Sequence, residues 1–246
     1  MSIRDAREDW RRFDAERIPS KASTPQLDSF LAGLPATDQK GLPLALLDVG
    51  CGTGRLSRQL YDRGFSVLGV DVNADAVRMA RKLAVSADAT GRQLRFEEAD
   101  WSSNHRPQLD GPFDVVVCQL VISIIGAPSQ RMNLLRHVRH ALRPGGWLCL
   151  SASGVSDTIN AAYARLYAED FLLTGERHTY LSRDDRCEIL YMTHHFTVDE
   201  LTGLLETAGF GRISITTEQE SSSRRPDEAA FFHYVTCQAG DAQIVR

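Results

Sequence analysis

The sequence predicts an α/β fold: a seven-stranded, mostly parallel sheet with helices on both faces, an N-terminal helical cap, and a lid inserted after strand five. Three observations carry this prediction. From Leu42 to Ala152, apolar runs of strand length alternate with amphipathic stretches of helix length, the pattern of repeated βαβ units. The first three runs each end beside an acid, at Asp48, Asp71 and Asp100. The last two runs are joined by a short polar stretch, as in a hairpin that closes one edge. The chain has 246 residues, enough for one large domain with a real core.

Residues 1–40 read as the cap. A charged helix runs from about Ile3 to Arg17 with Trp10 and Phe13 on one side, and Pro19-Ser20-Lys21-Ala22-Ser23 breaks it. Thr24 is placed to N-cap a second short helix with Pro25 in its first position. Pro43–Val49 is a buried strand entering a tight loop at Gly50, Gly52 and Gly54. Helix Arg55–Arg63, strand Ser66–Val70, helix Ala74–Ala87 capped by Asn73, and strand Leu94–Glu97 follow. Phe113–Leu120 is a strongly apolar fourth strand. Helix Ser129–Leu142 stops at Pro144-Gly145-Gly146, and Trp147–Ala152 is strand five. Residues 154–196 then lose the regular pattern and hold Tyr163, Tyr167, Tyr180, Tyr191, His178, His194 and His195. A connection this long reads as a lid. Thr197 caps a helix to Ala208 with Glu200 closing a capping box, and Gly209 ends it. Strands Gly211–Thr217 and Phe231–Cys237 complete the sheet, joined across Ser221–Asp227.

The bulk numbers narrow the function. Net charge is −4, with 43% hydrophobic and 24% charged residues. No global basic footprint exists, so nucleic acid is not the expected partner. No run of ~18 apolar residues is present, so no membrane span is expected. The charged start lacks the apolar region of a signal peptide. The five cysteines form no CxxC pair, which suits free thiols in the cytoplasm. No cysteine–histidine spacing or carboxylate cluster suggests a metal, and none is expected.

The chemistry rests on Leu46-Leu47-Asp48-Val49-Gly50-Cys51-Gly52-Thr53-Gly54-Arg55-Leu56. The glycines permit a sharp turn and a close ligand approach, ahead of the free N–H groups of a helix start. Arg55 stands where a dinucleotide loop places its last glycine. Asp48 would repel a pyrophosphate but suits an ammonium group. S-adenosylmethionine (SAM) carries an ammonium, a sulfonium and no phosphate.

This segment resembles motif I of the class I SAM-dependent methyltransferases, which have a Rossmann-like sheet. The resemblance covers residues 42–150 and, more loosely, 196–238, and makes 41–246 the SAM-binding domain. It implies that Gly50, Cys51, Gly52 and Gly54 pass under the methionine part of SAM while Asp48 helps hold its amino group. Asp71 matches the acid that accepts from both ribose hydroxyls, with Val72 beside it and Asn73 flanking the adenosine. Asp100 and Trp101 match the adenine site. Gln119, at the exit of strand four, faces the methionine part and the acceptor, and the Arg143-Pro144-Gly145-Gly146 turn also fits.

Methyl transfer from a sulfonium needs alignment and water exclusion, and a base only where the acceptor is protonated. His194 and His195, just before the closing helix, and Tyr180 in the lid are the candidates for catalytic contact. The expected activity is N- or O-methylation of a small-molecule acceptor enclosed by cap and lid, by a monomer or homodimer. Two other readings stay open. The same fold can attack another carbon of the sulfonium, giving aminocarboxypropyl transfer, lyase chemistry or azetidine formation with methylthioadenosine as product. It can also bind SAM without catalysis. A NAD-dependent oxidoreductase is opposed by Asp48 and Arg55.

Overall fold

The computed structural model describes residues 9–17, 23–35, 37–108, 110–184, 186–222 and 228–240. Seven strands form one sheet: β1 (Ala45–Val49), β2 (Ser66–Asp71), β3 (Leu94–Glu98), β4 (Phe113–Gln119), β5 (Leu142–Gly154), β8 (Phe210–Ser221) and β9 (Ala229–Ala239). Their spatial order is β3-β2-β1-β4-β5-β9-β8. The first five are mutually parallel, while β9 runs antiparallel to both β5 and β8. The order reverses between β1 and β4, which opens a crevice at their carboxyl ends.

Among the described residues, six α-helices flank the sheet and its insertion: α1 (Pro25–Ala32), α2 (Arg55–Asp62), α3 (Ala74–Ala80), α4 (Pro128–Ala141), α5 (Ala161–Thr174) and α6 (Val198–Thr207). Alternation along β1 shows why helices lie on both faces. Leu46 joins an apolar layer with Leu27, Leu56, Leu60 and Val77 from α1, α2 and α3. Leu47 joins the opposite layer with Leu134, Val138, Leu201 and Leu205 from α4 and α6. Neighbouring residues of a strand point to opposite faces, so a fully apolar strand demands cover on both. Asp48 falls on the α2 side by the same alternation.

The caps follow the sequence. Thr24 Oγ1 accepts from the Leu27 amide at 3.3 Å, Asn73 Oδ1 from Ala76 at 2.9 Å and Thr197 Oγ1 from Glu200 at 3.1 Å. Three expectations need correction. The helix expected over Ala74–Ala87 ends at Ala80 and tightens into a 3-10 turn, Arg81–Leu83. Beyond it, Val85 exchanges backbone hydrogen bonds with Leu94 at 3.0 Å, extending the edge beside β3. The helix expected over Ile3–Arg17 appears, in its described part, as two 3-10 turns, Asp9–Arg12 and Ala15–Arg17. The Trp10 and Phe13 carbonyls, which a longer helix would bond internally, instead accept from Asn73 Nδ2 at 2.9 and 2.8 Å. Strand five begins at Leu142, earlier than Trp147. The break at 19–22 and most of the 221–227 connection lie outside the described residues.

The stretch after β5 is regular where the sequence looked irregular. Helix α5, capped by Asn160 and ended by Gly175 at φ +68°, is followed by an antiparallel hairpin, β6 (Thr179–Arg183) and β7 (Ile189–His194). Asp170 of α5 pins that hairpin. Its carboxylate accepts from the Leu181 amide at 2.8 Å and from both terminal nitrogens of Arg183 at 2.9 and 2.6 Å. No helix among the described residues is long and apolar enough to cross a membrane.

Candidate functional site

The β1–α2 loop builds the floor of the site. Gly50, Gly52 and Gly54 have φ of +76°, +53° and +84°, a region that side chains disfavour. A Cβ on Gly50 would overlap the side chain of Val121, and one on Gly54 would meet the Phe96 ring at 2.8 Å. Gly54 is the N-cap of α2. It shapes the loop and lies outside the cavity lining, whereas Gly50, Cys51 and Gly52 line it.

Three acids surround this floor. Asp48 is buried and accepts from Ser57 Oγ of α2 at 2.6 Å. Burial pushes its carboxyl up to about 6, against the Ser57 hydrogen bond and aided by the nearby Asp71 charge. Asp71 ends β2 and braces the loop: Oδ2 accepts from the Gly52 amide at 2.8 Å and Oδ1 from the Asn73 amide at 2.9 Å. Burial raises its pKa against those bonds. Asp100 accepts from the Ser102 amide at 2.9 Å and hydroxyl at 2.7 Å, and pairs with Arg11. Burial works against its charge, yet the bonds from Ser102 and Arg11 win and hold it below the usual range.

These groups meet in one cavity of about 320 Å³, within the ~300–1,000 Å³ of small-molecule sites. It brings together Asp48, Gly50, Cys51, Gly52, Asp71 and Val72 with Asp100, Trp101 and Gln119 from the β3 and β4 exits. Asn73 is elsewhere than expected. It is buried, and its side chain is spent on capping α3 and tethering Trp10 and Phe13. The tether carries Trp10 and Arg11 onto the cavity wall, where Trp10 packs on Tyr191 of β7 at 4.6 Å between ring centroids. Leu120 takes a left-handed φ of +60° on the same wall. The Ser151 carbonyl and hydroxyl hold its amide at 3.0 and 3.1 Å. Non-glycine residues held in this region cluster at functional sites, and no sequence signal announces it in a leucine.

The far end of the cavity is aromatic. Tyr163, Tyr180, Tyr191, Phe232 and His195 line it with small hydroxyls such as Ser182 and Thr193. The His195 ring lies 4.9 Å from Tyr163 and 5.3 Å from Tyr180, centroid to centroid. Its Nδ1 meets Tyr167 Oη at 2.7 Å. His194 needs correction as a catalytic candidate. It is buried outside the cavity lining, with Nδ1 at 2.7 Å from Thr179 Oγ1 and Nε2 at 3.0 Å from Glu200 Oε1. Glu176, His194 and Glu200 converge closely enough to suggest metal ligands. The buried Arg131 guanidinium pairs with Glu176 there, so a cation already occupies the role.

The residues fit a cationic, phosphate-free nucleoside. Three carboxylates converge where a nucleotide fold would offer bare amides, Gly50, Cys51 and Gly52 line the cavity beside them, and Trp101 Nε1 is a buried donor with no partner among the described residues.

Comparison with known proteins agrees with this fold. The methyltransferase domain family matches residues 46–146. The ubiquinone biosynthesis O-methyltransferase of Leptothrix cholodnii is 31% identical over 108 residues, 44% of this chain and 43% of that protein. A human thiol S-methyltransferase is 35% identical over 125 residues, 50% of this chain and 47% of that one. The matches thus span less than half the length of these two relatives. A SAM-dependent methyltransferase from Methanosarcina mazei superposes with a TM-score of 0.76 at 27% identity, covering 89% of this chain and 99% of the other. The family match ends at the turn before Trp147, so the aromatic end lies beyond it while the acid-ringed floor lies within. With the reversed strand order, the glycine loop and the acids near their expected strand ends, residues 46–146 are a methyltransferase domain of the class I SAM-dependent type, whose cofactor is SAM.

Proposed function

We propose that this protein transfers a methyl group from SAM to a nitrogen or oxygen of a small-molecule acceptor. The observation that carries the proposal is the single cavity, acid-ringed at the glycine loop and aromatic at its other end. A donor held at one end and an acceptor at the other would meet inside it. The bound cofactor supplies an electrophilic methyl carbon on a positively charged sulfur. Everything else falls to the chain's own residues. Asp71, braced by two backbone amides, keeps lone pairs for the ribose hydroxyls, and Asp100 with Trp101 takes the adenine. Gly50, Cys51 and Gly52 pass beneath the methionine part, with Gln119 beside it and Asp48 favouring its ammonium. Tyr180 and His195 meet the acceptor. Residues 1–40 serve as cap, through Trp10 and Arg11, and 154–196 as lid, through α5 and the β6–β7 hairpin. Together they keep water out, and alignment in a dry site is worth ~7–11 kcal/mol of barrier.

The test is product identity. Incubation with SAM and a metabolite extract is expected to release S-adenosylhomocysteine and a product heavier by one methylene. Methylthioadenosine as the nucleoside product would instead show attack at another carbon. Failure to consume SAM in any extract would reduce the protein to a binding module.

A further inference from the structure

Tyr167 is buried behind the aromatic wall and is absent from the cavity lining, whereas His195 belongs to that lining. The tyrosine hydroxyl has one proton and two lone pairs. Burial raises its pKa far above the ordinary value, so the proton stays on. One lone pair faces the Ser156 amide at 3.5 Å. Among the described residues, the single acceptor within reach of the proton is His195 Nδ1 at 2.7 Å. A hydrogen on that nitrogen would set two donors against each other at short range and strand a buried hydroxyl proton, which folded proteins avoid. The histidine proton is thereby assigned to Nε2, on the ring edge turned away from Tyr167.

We infer that Tyr167 is a positioning residue that holds His195 as its Nε2–H tautomer, so that His195 meets the methyl acceptor as a hydrogen-bond donor and not as its base. The inference rests on the methyltransferase reading above and deepens it. An acceptor suited to this site offers a hydrogen-bond-accepting atom to His195 and enters with no proton to lose: an ionised hydroxyl, or a ring nitrogen with its lone pair in hand. Its lone pair forms the bond to the methyl carbon as the carbon–sulfur bond breaks, the electrons of that bond stay on sulfur, and no proton passes to the protein. The tyrosines around His195 suit a flat acceptor, since aromatic rings pack edge and face at these 4.9–5.3 Å separations.

The test reads the tautomer directly. In the full chain labelled with ¹⁵N-histidine, long-range ¹H–¹⁵N correlation is expected to show His195 protonated at Nε2, with its signals assigned by their loss in His195→Gln. Tyr167→Phe keeps the ring and removes the hydroxyl; it is expected to release the tautomer towards a mixture while SAM affinity by calorimetry stays put. An Nδ1–H His195 in the wild type, or an unmoved tautomer in Tyr167→Phe, overturns the inference. A second arm compares S-adenosylhomocysteine release from SAM and the same metabolite extract. The glutamine nitrogen of His195→Gln can donate near the Nε2 position, so this variant is expected to stay within about tenfold of wild type while His195→Ala falls well below it. A base would lose ~10²–10⁴-fold in both, and that result overturns the donor role. The tautomer is read without cofactor or acceptor. Failure of the wild type to bind or consume SAM would therefore overturn the proposed function and leave the tautomer result standing on its own.

Discussion

The buried carboxylate of Asp48 should make both stability and cofactor affinity depend on pH, in opposite senses. Its carboxyl moves from an ordinary 3.8 to about 6 in the fold, with Ser57 Oγ at 2.6 Å as its hydrogen-bond donor. The folded chain therefore holds a proton there that the unfolded chain releases, so stability falls as pH rises between those two values. The full cost at neutral pH is ~3 kcal/mol at 1.36 kcal/mol per pH unit. Asp48→Asn removes the titration. A buried asparagine amide brings its own penalty of ~1–3 kcal/mol, but that penalty does not change with pH. The informative quantity is thus the pH dependence of the difference between variant and wild type. Denaturant melts of the cofactor-free protein at about pH 5 and about pH 7.5 should show the variant gaining ~1.4 kcal/mol on the wild type between the two. SAM affinity should run the other way. Below about pH 6 a proton competes with the cofactor's positive charge, so wild-type affinity is expected to fall towards tenfold per pH unit and the variant's to stay weak and flat. A stability difference that ignores pH, or an Asp48→Asn protein that binds SAM as tightly as wild type at neutral pH, would refute the placement of this charge at the cofactor.

Other perturbations test the same site from different sides. Gly50→Ala should abolish SAM binding by calorimetry because its Cβ overlaps Val121, while Gly91→Ala, also at positive φ but with open space around it, should cost only ~1 kcal/mol of stability and leave binding intact. Asp71→Ala should weaken SAM by ~1–3 kcal/mol, since it removes the proposed ribose acceptor and frees the Gly52 amide that Asp71 braces at 2.8 Å; unchanged affinity would move the ribose elsewhere. Cys187 is exposed, whereas Cys51, Cys118, Cys149 and Cys237 are buried with raised pKa values. Brief alkylation of the native protein at neutral pH should therefore add one label by intact mass, at Cys187, and rapid labelling of Cys51 would show the glycine loop to be open.

The cofactor end was legible because its chemistry is local. Glycines at 50, 52 and 54 sit in one loop, and each acid lies within two residues of the carboxyl end of its own strand, so counting along the chain places them on one sheet edge. The acceptor end is assembled from distant pieces, with Trp10 tethered by Asn73 and packed on Tyr191, and with Phe232 and Ser222 supplied from around the last hairpin. No spacing rule links such positions. The 154–196 stretch misled for a related reason: the helix α5 carries tyrosines and a buried Asp170 whose partners lie on β6, so its pattern made sense only once Arg183 and Leu181 were beside it.

His194 and His195 show how far the sequence could go. Both were plausible catalytic contacts, and nothing in the letters separates two adjacent histidines. The fold separates them through the alternation at the end of β7, which sends neighbouring side chains to opposite sides. His194 turns to Thr179, Glu200 and the Arg131–Glu176 pair, where both ring nitrogens are used within the scaffold. His195 turns to the cavity, with Tyr167 behind it. A one-residue change of register in that hairpin would exchange their roles and bury a differently bonded ring at each place, so the hairpin's register matters to the site as much as either histidine's identity. Asp170, which ties β6 to α5 through Arg183 and the Leu181 amide, is the residue through which the hairpin should be perturbed. Asp170→Asn should lower the rate of methyl transfer while SAM affinity, set at the other end of the cavity, is retained, and equal loss of both would show that the lid and the cofactor floor fold as one unit.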